Sequence, residues 1–458
     1  MRDIVPQVRE AFRQAQMGTP GPVLLEFPLD VLYPYPVVEK EIATMTKSNT
    51  LKGKIVNFYM QTYMKNLFAA AFDVERETKP WPVEIPFPKR PQLQKTYELL
   101  AKAKRPLILL GSQSVLPPVG AEKLSDLMKK LSIPCYLGGM SRGLLGKQCD
   151  LQMRHARRDA LKEADLVLML GTVADFRLNY GRVLPKHAKI IAVNRSKEQL
   201  YKNSDMFWSP TLAIQADVGQ FMLEFTEFID QKASLPDFSE WISQLRKRDD
   251  QKDAKNNEMA VQKPNDAYLN PVYLLSQLDQ ILSDRTILVA DGGDFVATAA
   301  YVVRPPKPLS WLDPGAYGTL GVGAGFALGA KLARPDADVI ILFGDGSLGY
   351  SLMEFDTFVR HKINISAVVG NDACWTQIAR EQQPLLGSDV ACRLEYTNYE
   401  QAVVALGANG IRLDGSNASQ LKEQLAQAIA LTRGESARPT LINCLIGKTD
   451  FRKGSISV

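Results

Sequence analysis

The sequence predicts an α/β protein: two doubly wound parallel-sheet domains, preceded by the remnant of a third, N-terminal α/β domain. Short apolar runs of the fully buried kind alternate with helical periodicity over residues 92–229, and the same alternation returns, richer in glycine, over 265–458. Between them, Asp230 to Pro264 crowds charges of both signs and reads as a solvated linker. A length of 458 residues suits two to four domains, each with its own core.

The elements follow in chain order. Ile4, Val5, Val8 and Phe12 recur at helical spacing, Gly18 to Pro22 breaks the helix, and Val23 to Phe27 reads as a buried strand. One helix and one strand cannot close a core, so residues 1–38 read as the tail of a domain. Residues 39–91, with many prolines and a stripe of Ile55, Tyr59, Tyr63 and Leu67, read as a connecting segment. A surface helix for a membrane or a partner is the alternative reading of that stripe. Over 92–229 the pattern predicts helices at 93–103 and 121–131 and strands at 106–110, 166–170 and 190–193. Over 265–458 it predicts strands at 286–290, 339–343, 363–369, 410–413 and 440–444.

Composition narrows the function. With 55 Lys and Arg against 50 Asp and Glu the net charge is only +5, and the pI near 8.7 makes nucleic acid a poor default partner. Five cysteines without a CxxC pair argue against a disulfide scaffold or a structural zinc site, and three histidines without HxxxH spacing argue against a His-rich metal site. No apolar run reaches the length of a membrane span, and Arg2, Asp3, Arg9 and Arg13 interrupt any signal-like start, so the chain reads as soluble and intracellular.

The chemistry concentrates at Val339 to Ser347, a strand that ends in Gly344-Asp345-Gly346-Ser347, and at Asn371-Asp372, 26 and 27 residues beyond Asp345. Ser351 and Glu354 read as a capping box for the helix between, with Leu352, Phe355, Phe358 and Val359 on its apolar face. In a parallel sheet this places two acidic positions past the carboxyl ends of two strands, where ligands bind. Oxygen ligands, glycine amides and a following helix suit a diphosphate held through magnesium; a plain Asp-Gly turn is the alternative. Gly321, Gly325 and Gly329 recur every four residues, which predicts a helix packed very close to its neighbour rather than a dinucleotide fingerprint.

These motifs resemble the thiamine diphosphate signature of the acetolactate synthase and 2-hydroxyacyl-CoA lyase family, within the superfamily that includes pyruvate decarboxylase. The resemblance covers almost the whole chain: 1–38 is similar to the end of the family's pyrimidine-binding domain, 92–229 to its central domain and 265–458 to its diphosphate-binding domain. It implies that Asp345 and Asp372 bind magnesium by side chain and Cys374 by its main-chain carbonyl, with Asn371 the one-residue alternative to Asp372, because the family usually shows Asn-Asn here. It implies that Gly344, Gly346 and Ser347 cradle the diphosphate, that Gly318 and Leu320 hold the pyrimidine in a bent cofactor, and that Gly293 and Asp294 belong to a further diphosphate loop. Arg177 to Gly181 resembles a segment of the acyl-CoA lyases and oxalyl-CoA decarboxylases, and a surface loop is the other reading. The central domain of relatives binds FAD or an adenosine diphosphate group, and nothing in the sequence decides between them.

The resemblance implies a lyase that cleaves a 2-hydroxyacyl-CoA into formyl-CoA and an aldehyde one carbon shorter, as in fatty acid α-oxidation. The alternatives are carboligation of 2-oxo acids, as in acetolactate synthase, and a noncatalytic cofactor-binding or partner-binding isoform. The family's catalytic glutamate lies in the pyrimidine-binding domain, and Glu26 does not match its place, so no catalytic side chain is assigned within these residues. A homo-oligomer, dimer or tetramer, and residence at the cytosolic face of the endoplasmic reticulum membrane are further implications of the family.

Overall fold

The computed structural model describes residues 1–45, 50–71, 74–232, 234–262 and 267–452, which fall into two compact units, Met1–Pro86 and Phe87–Val458. The first unit holds helices α1 (Ile4–Gln16), α2 (Tyr35–Met45) and α3 (Leu51–Leu67). Its small core joins Val38, Met64 and Phe68, with the Tyr35 ring set edge-on to Phe68 at 5.0 Å. The expected strand at Val23 to Phe27 does not form. A strand needs a neighbour for its backbone donors and acceptors, and among the described residues of this unit there is none.

Among the described residues of the second unit twelve strands make two sheets. The first contains β1 (Pro106–Leu110), β2 (Cys135–Leu137), β3 (Gln152–Met153), β4 (Leu166–Leu170), β5 (Lys189–Asn194) and β6 (Leu212–Gln215), in the order β3-β2-β1-β4-β5-β6. The second contains β7 (Thr286–Asp291), β8 (Trp311–Leu312), β9 (Asp338–Gly344), β10 (Ser366–Asn371), β11 (Asn409–Leu413) and β12 (Thr440–Leu445), in the order β11-β12-β10-β9-β7-β8. All pairs within both sheets are parallel. Helices cover both faces, which explains why the central strands are apolar at every position. In β1, Ile108 and Leu110 enter one core while Leu107 and Leu109 enter the other. Along β9, Ile340 and Leu342 oppose Val339, Ile341 and Phe343 in the same way.

The winding direction reverses between β1 and β4 in the first sheet and between β7 and β9 in the second, whose far edge is finished by β12 returning inside β11. Outside the carboxyl ends of the strands that flank such a reversal, the connections leave in opposite directions and open a crevice. The second reversal falls where Asp291-Gly292 and Gly344-Asp345 leave their strands.

Three local expectations are corrected. The segment 230–264 carries a helix of 22 residues, Ser239–Ala260, which buries Trp241, Leu245, Asp249 and Asn256 on one side, with Asp249 accepting from the amides of Arg154 and His155. The Ser351–Glu354 capping box is not formed. A helix already runs over Asp345–Ser351, so Ser351 is its last residue with a buried hydroxyl that has no hydrogen-bond partner, and Met353 precedes the next helix, Glu354–Arg360. In the helix Gly323–Ala333 a methyl on Gly325 or Gly329 would meet nothing within 4 Å. The close approaches are made by Gly321 and Gly323, where a methyl would sit 2.7 Å from Tyr350 and from Asp291 respectively.

Candidate thiamine diphosphate site

Strand β9 passes directly into the helix Asp345–Ser351, with extended Gly344 as its N-cap. The N–H groups that start a helix, together with its dipole, favour an anion, and here the Gly346 amide already donates to Asp345 Oδ1. Gly346 has a steric reason to be glycine, since a Cβ there would lie 2.5 Å from the Trp375 indole. The Ser347 hydroxyl is already engaged: it donates to the main-chain oxygens of Asp291, at 2.5 Å, and Gly344, at 3.0 Å. It thereby ties the ends of β7 and β9 together and leaves its amide as the group that can face a ligand.

Asp345 is buried, with Oδ1 accepting from the Gly346 amide at 2.8 Å and Oδ2 from the Cys374 amide at 3.2 Å. The second contact draws the loop after β10 against the turn after β9, so Asp345, Asp372 and Cys374 share one place. Burial pushes the Asp345 carboxyl up, against the opposing pull of those amides. Asp372 is pushed up to about 7, by burial first and by the neighbouring Asp345 second, despite a hydrogen bond from the Thr376 hydroxyl. Neither carboxylate has a Lys or Arg within ion-pair distance among the described residues. A buried acid and a half-buried one, without an ion-pair partner and beside helix amides, form the donor set expected of a hard divalent cation that also carries phosphate oxygens. Among the described residues no three His, Cys, Asp or Glu side chains gather around a metal-sized space, so phosphate and main-chain oxygens would have to complete such a shell.

Asn371 is turned elsewhere. Its amide nitrogen donates to the Thr397 carbonyl and to Asn443 Oδ1, both at 3.2 Å, and Asn443 in turn donates to Glu400 Oε2 at 2.7 Å. Asn371 therefore fastens β10 to β12 and the Thr397 loop, and Asp372 is the residue of the pair that accompanies Asp345. Cys374 is buried, and its amide already serves Asp345.

The remaining predicted residues lie around the same edge. Gly293 caps the helix Asp294–Val302, and a Cβ on it would lie 3.0 Å from Gln377. The Asp294 side chain pairs with Arg380 and, at 3.8 Å, with Arg452, so it braces the loop and is not available to a diphosphate. Gly318 adopts φ 60° and ψ 26°, a left-handed conformation that glycine takes without strain, in an exposed turn; Leu320 follows, partly buried. Sequence reasoning missed Asp291. Fully buried, it accepts from the amides of Gly321 at 3.1 Å and Gly323 at 2.7 Å, and so fixes the loop carrying Gly318 and Leu320 to the end of β7. An acid closing a buried strand just before Gly-Gly was the signal. Arg177 to Gly181 lies apart from this edge in a 3₁₀ segment after β4, with Asn179 and Tyr180 at positive φ and Gly181 against Trp208.

A doubly wound sheet with paired acids and helix amides at its reversal point defines a diphosphate-binding enzyme domain, and comparison with known families agrees. Residues 291–444 match the thiamine pyrophosphate enzyme C-terminal TPP binding domain, and 93–225 match the thiamine pyrophosphate enzyme central domain. The chain is 53% identical over its whole length to 2-hydroxyacyl-CoA lyase 2 of Danio rerio, covering 73% of that protein, and 52% identical to the Homo sapiens protein of the same name, covering 71%. A probable acetolactate synthase of Mycobacterium bovis is 31% identical over 79% of this chain and 62% of its own length. The chain belongs to the 2-hydroxyacyl-CoA lyase 2 family of thiamine pyrophosphate enzymes. No helix among the described residues is long and apolar enough to cross a membrane.

Proposed function

We propose that this lyase uses magnesium and thiamine diphosphate to cleave a 2-hydroxyacyl-CoA into formyl-CoA and an aldehyde one carbon shorter. The observation that carries the proposal is the junction of Asp345 with the Cys374 amide, which unites both acidic loops at the β7–β9 reversal in a chain so close to 2-hydroxyacyl-CoA lyase 2. Asp345, Asp372 and the Cys374 carbonyl would hold the cation. Gly344, Gly346 and Ser347 would present backbone to the diphosphate, with Gly293 at its margin. Gly318 and Leu320, held by Asp291, would support the pyrimidine. When bound, the cofactor supplies a nucleophilic carbon and an electron sink for breaking a C–C bond. The chain's own residues would hold the cation that neutralises the diphosphate, fix its position and exclude water around buried Asp345.

The family resemblance further suggests a homo-oligomer and a place at the cytosolic face of the endoplasmic reticulum membrane, both part of this proposal. The test is product analysis, with magnesium and thiamine diphosphate, of a protein that joins these residues to a pyrimidine-binding domain carrying the family's catalytic glutamate. Formyl-CoA and a shortened aldehyde from 2-hydroxyacyl-CoA are expected; acetolactate from pyruvate, without those products, would replace the lyase reading with the carboligase one.

A further inference from the structure

Helix α3 has two apolar faces, and only one of them is packed. At 100° per residue Met60, Met64 and Leu67 fall together on the side that meets α2, where Met64 is 5% exposed. On the opposite side, over the first turns, Leu51, Ile55, Phe58 and Tyr59 share a sector of about 100° and stand 79%, 63%, 74% and 66% exposed, while exposed Thr62 and Asn66 continue that sector toward the C-terminal end. Lys54 and Lys65 run along one border of this sector and Lys52 along the other, and the seventeen residues contain no Asp or Glu. The helix is a definite element with a formed N-cap, since Thr50 Oγ1 accepts from the Gly53 amide at 3.1 Å.

Large protruding aliphatic and aromatic side chains whose charged neighbours on the helix are all lysines match one environment well. The rings and aliphatic chains enter the acyl boundary of a bilayer, and the lysine stems run along the apolar face so that their ammonium groups reach the headgroups. Protein interfaces deplete lysine relative to the rest of the surface and favour arginine, whereas negatively charged lipid attracts unopposed lysines. At about 25 Å from end to end, with three lysines, α3 is suited to lying on a bilayer rather than crossing it. We infer that the Leu51–Ile55–Phe58–Tyr59 face of α3, with Lys52, Lys54 and Lys65, is an in-plane docking surface for anionic membranes. This inference gives a surface to the membrane placement proposed above, and it is independent of the lyase chemistry.

The test uses the purified full chain and vesicles of phosphatidylcholine, alone or with phosphatidylserine. Co-sedimentation with the anionic vesicles is expected, weaker on neutral vesicles and weakened by salt. Ile55→Asp/Phe58→Asp should reduce binding by at least about tenfold, from the loss of buried apolar groups. Reversing Lys52, Lys54 and Lys65 to Glu should cost about 100-fold or more on anionic vesicles and little on neutral ones. Phe58→Trp adds a reporter whose emission should shift to the blue and resist iodide quenching when anionic vesicles are present. Circular dichroism establishes that each variant is folded. Absence of sedimentation, or binding that neither set of substitutions alters, overturns the inference. Self-association abolished by Ile55→Asp/Phe58→Asp, with no vesicle binding, overturns it in favour of a second copy as the occupant. Fractionation of cells expressing the protein tests the placement separately, so a membrane-resident protein with an inert α3 would overturn this surface alone.

Discussion

The two sheets of the second unit have the same kind of reversal point and opposite charge economies. Glycine backbones meet closely past both pairs of strand ends, a methyl on Gly292 standing 2.7 Å from the Gly344 nitrogen and one on Gly111, at β1 and β4, 2.3 Å from the Gly171 carbonyl oxygen. Along the same edge the charges are paired internally, with Arg195 Nε 2.7 Å from Asp217 Oδ2, both buried, and the Arg195 amide donating to Gln113. At β7 and β9 the acids Asp345 and Asp372 have only amides and a hydroxyl for partners. The topology creates a crevice in each case, and the residues just past the strand ends decide whether its charges are closed by pairing within the protein or left open for a ligand to complete.

The largest effects should come from disturbing these two charge arrangements. Asp345→Ala removes the acid that receives both loops. Loss of one partner from a buried charged site is worth about 3–5 kcal/mol, so magnesium-dependent thiamine diphosphate affinity, measured by calorimetry, should fall by about 100-fold or more. Asp372→Asn should keep more of that affinity than Asp372→Ala, because an amide oxygen can still coordinate. Unchanged affinity in Asp345→Ala would remove the contrast between the two reversal points. In the closed crevice, Arg195→Met leaves Asp217 buried and unpaired and should lower stability by about 3–5 kcal/mol. Arg195→Met/Asp217→Leu should recover part of the loss, as read by urea denaturation, and cofactor affinity should change little in either.

Glycine substitutions sharpen the comparison at a smaller scale. In Gly111→Ala the new methyl meets backbone, which cannot yield without moving β1 from β4. In Gly346→Ala it meets the Trp375 ring, which can pivot. Overpacking of this kind typically costs about 1–3 kcal/mol, with Gly111→Ala expected toward the upper end and Gly346→Ala toward the lower. Gly346→Ala should also weaken cofactor binding, whereas Gly111→Ala should affect unfolding alone. The reverse order in thermal midpoints would show that the Trp375 wall is the more rigid.

Much of this was legible in the sequence because buried parallel strands are apolar throughout. β1 and β4 fall where the runs of five apolar residues predict them, and β9 and β12 extend their predicted runs by a residue or two. The short strands β2, β3 and β8 have two or three residues each, too few for a period to show. Val23 to Phe27 has the right composition and no partner strand, which local pattern cannot reveal. The acidic pair could be read as a motif, but the choice between Asn371 and Asp372 could not. It depends on Asn443 and Glu400, 72 and 29 residues beyond Asn371, and only the fold brings them to its side chain. The role of Asp291 was hidden for the same reason, since its partners Gly321 and Gly323 lie 30 and 32 residues beyond it.

The smallest predicted effect isolates one hydrogen bond. Thr376 starts the helix Thr376–Leu386, and its hydroxyl donates to Asp372. That bond stabilises the charged carboxylate, which burial and Asp345 otherwise disfavour. Thr376→Val keeps the shape and removes the donor. A hydrogen bond to a charged group contributes about 1.5–3 kcal/mol at most, and a cation at the same carboxylate would take over much of that role. Magnesium-dependent cofactor affinity should therefore fall by less than about tenfold, while Thr376→Ser should behave as the parent. A loss in Thr376→Val as deep as that in Asp345→Ala would mean that the hydroxyl itself reaches the cation or the diphosphate, and the donor set at the open crevice would have to be redrawn around Thr376.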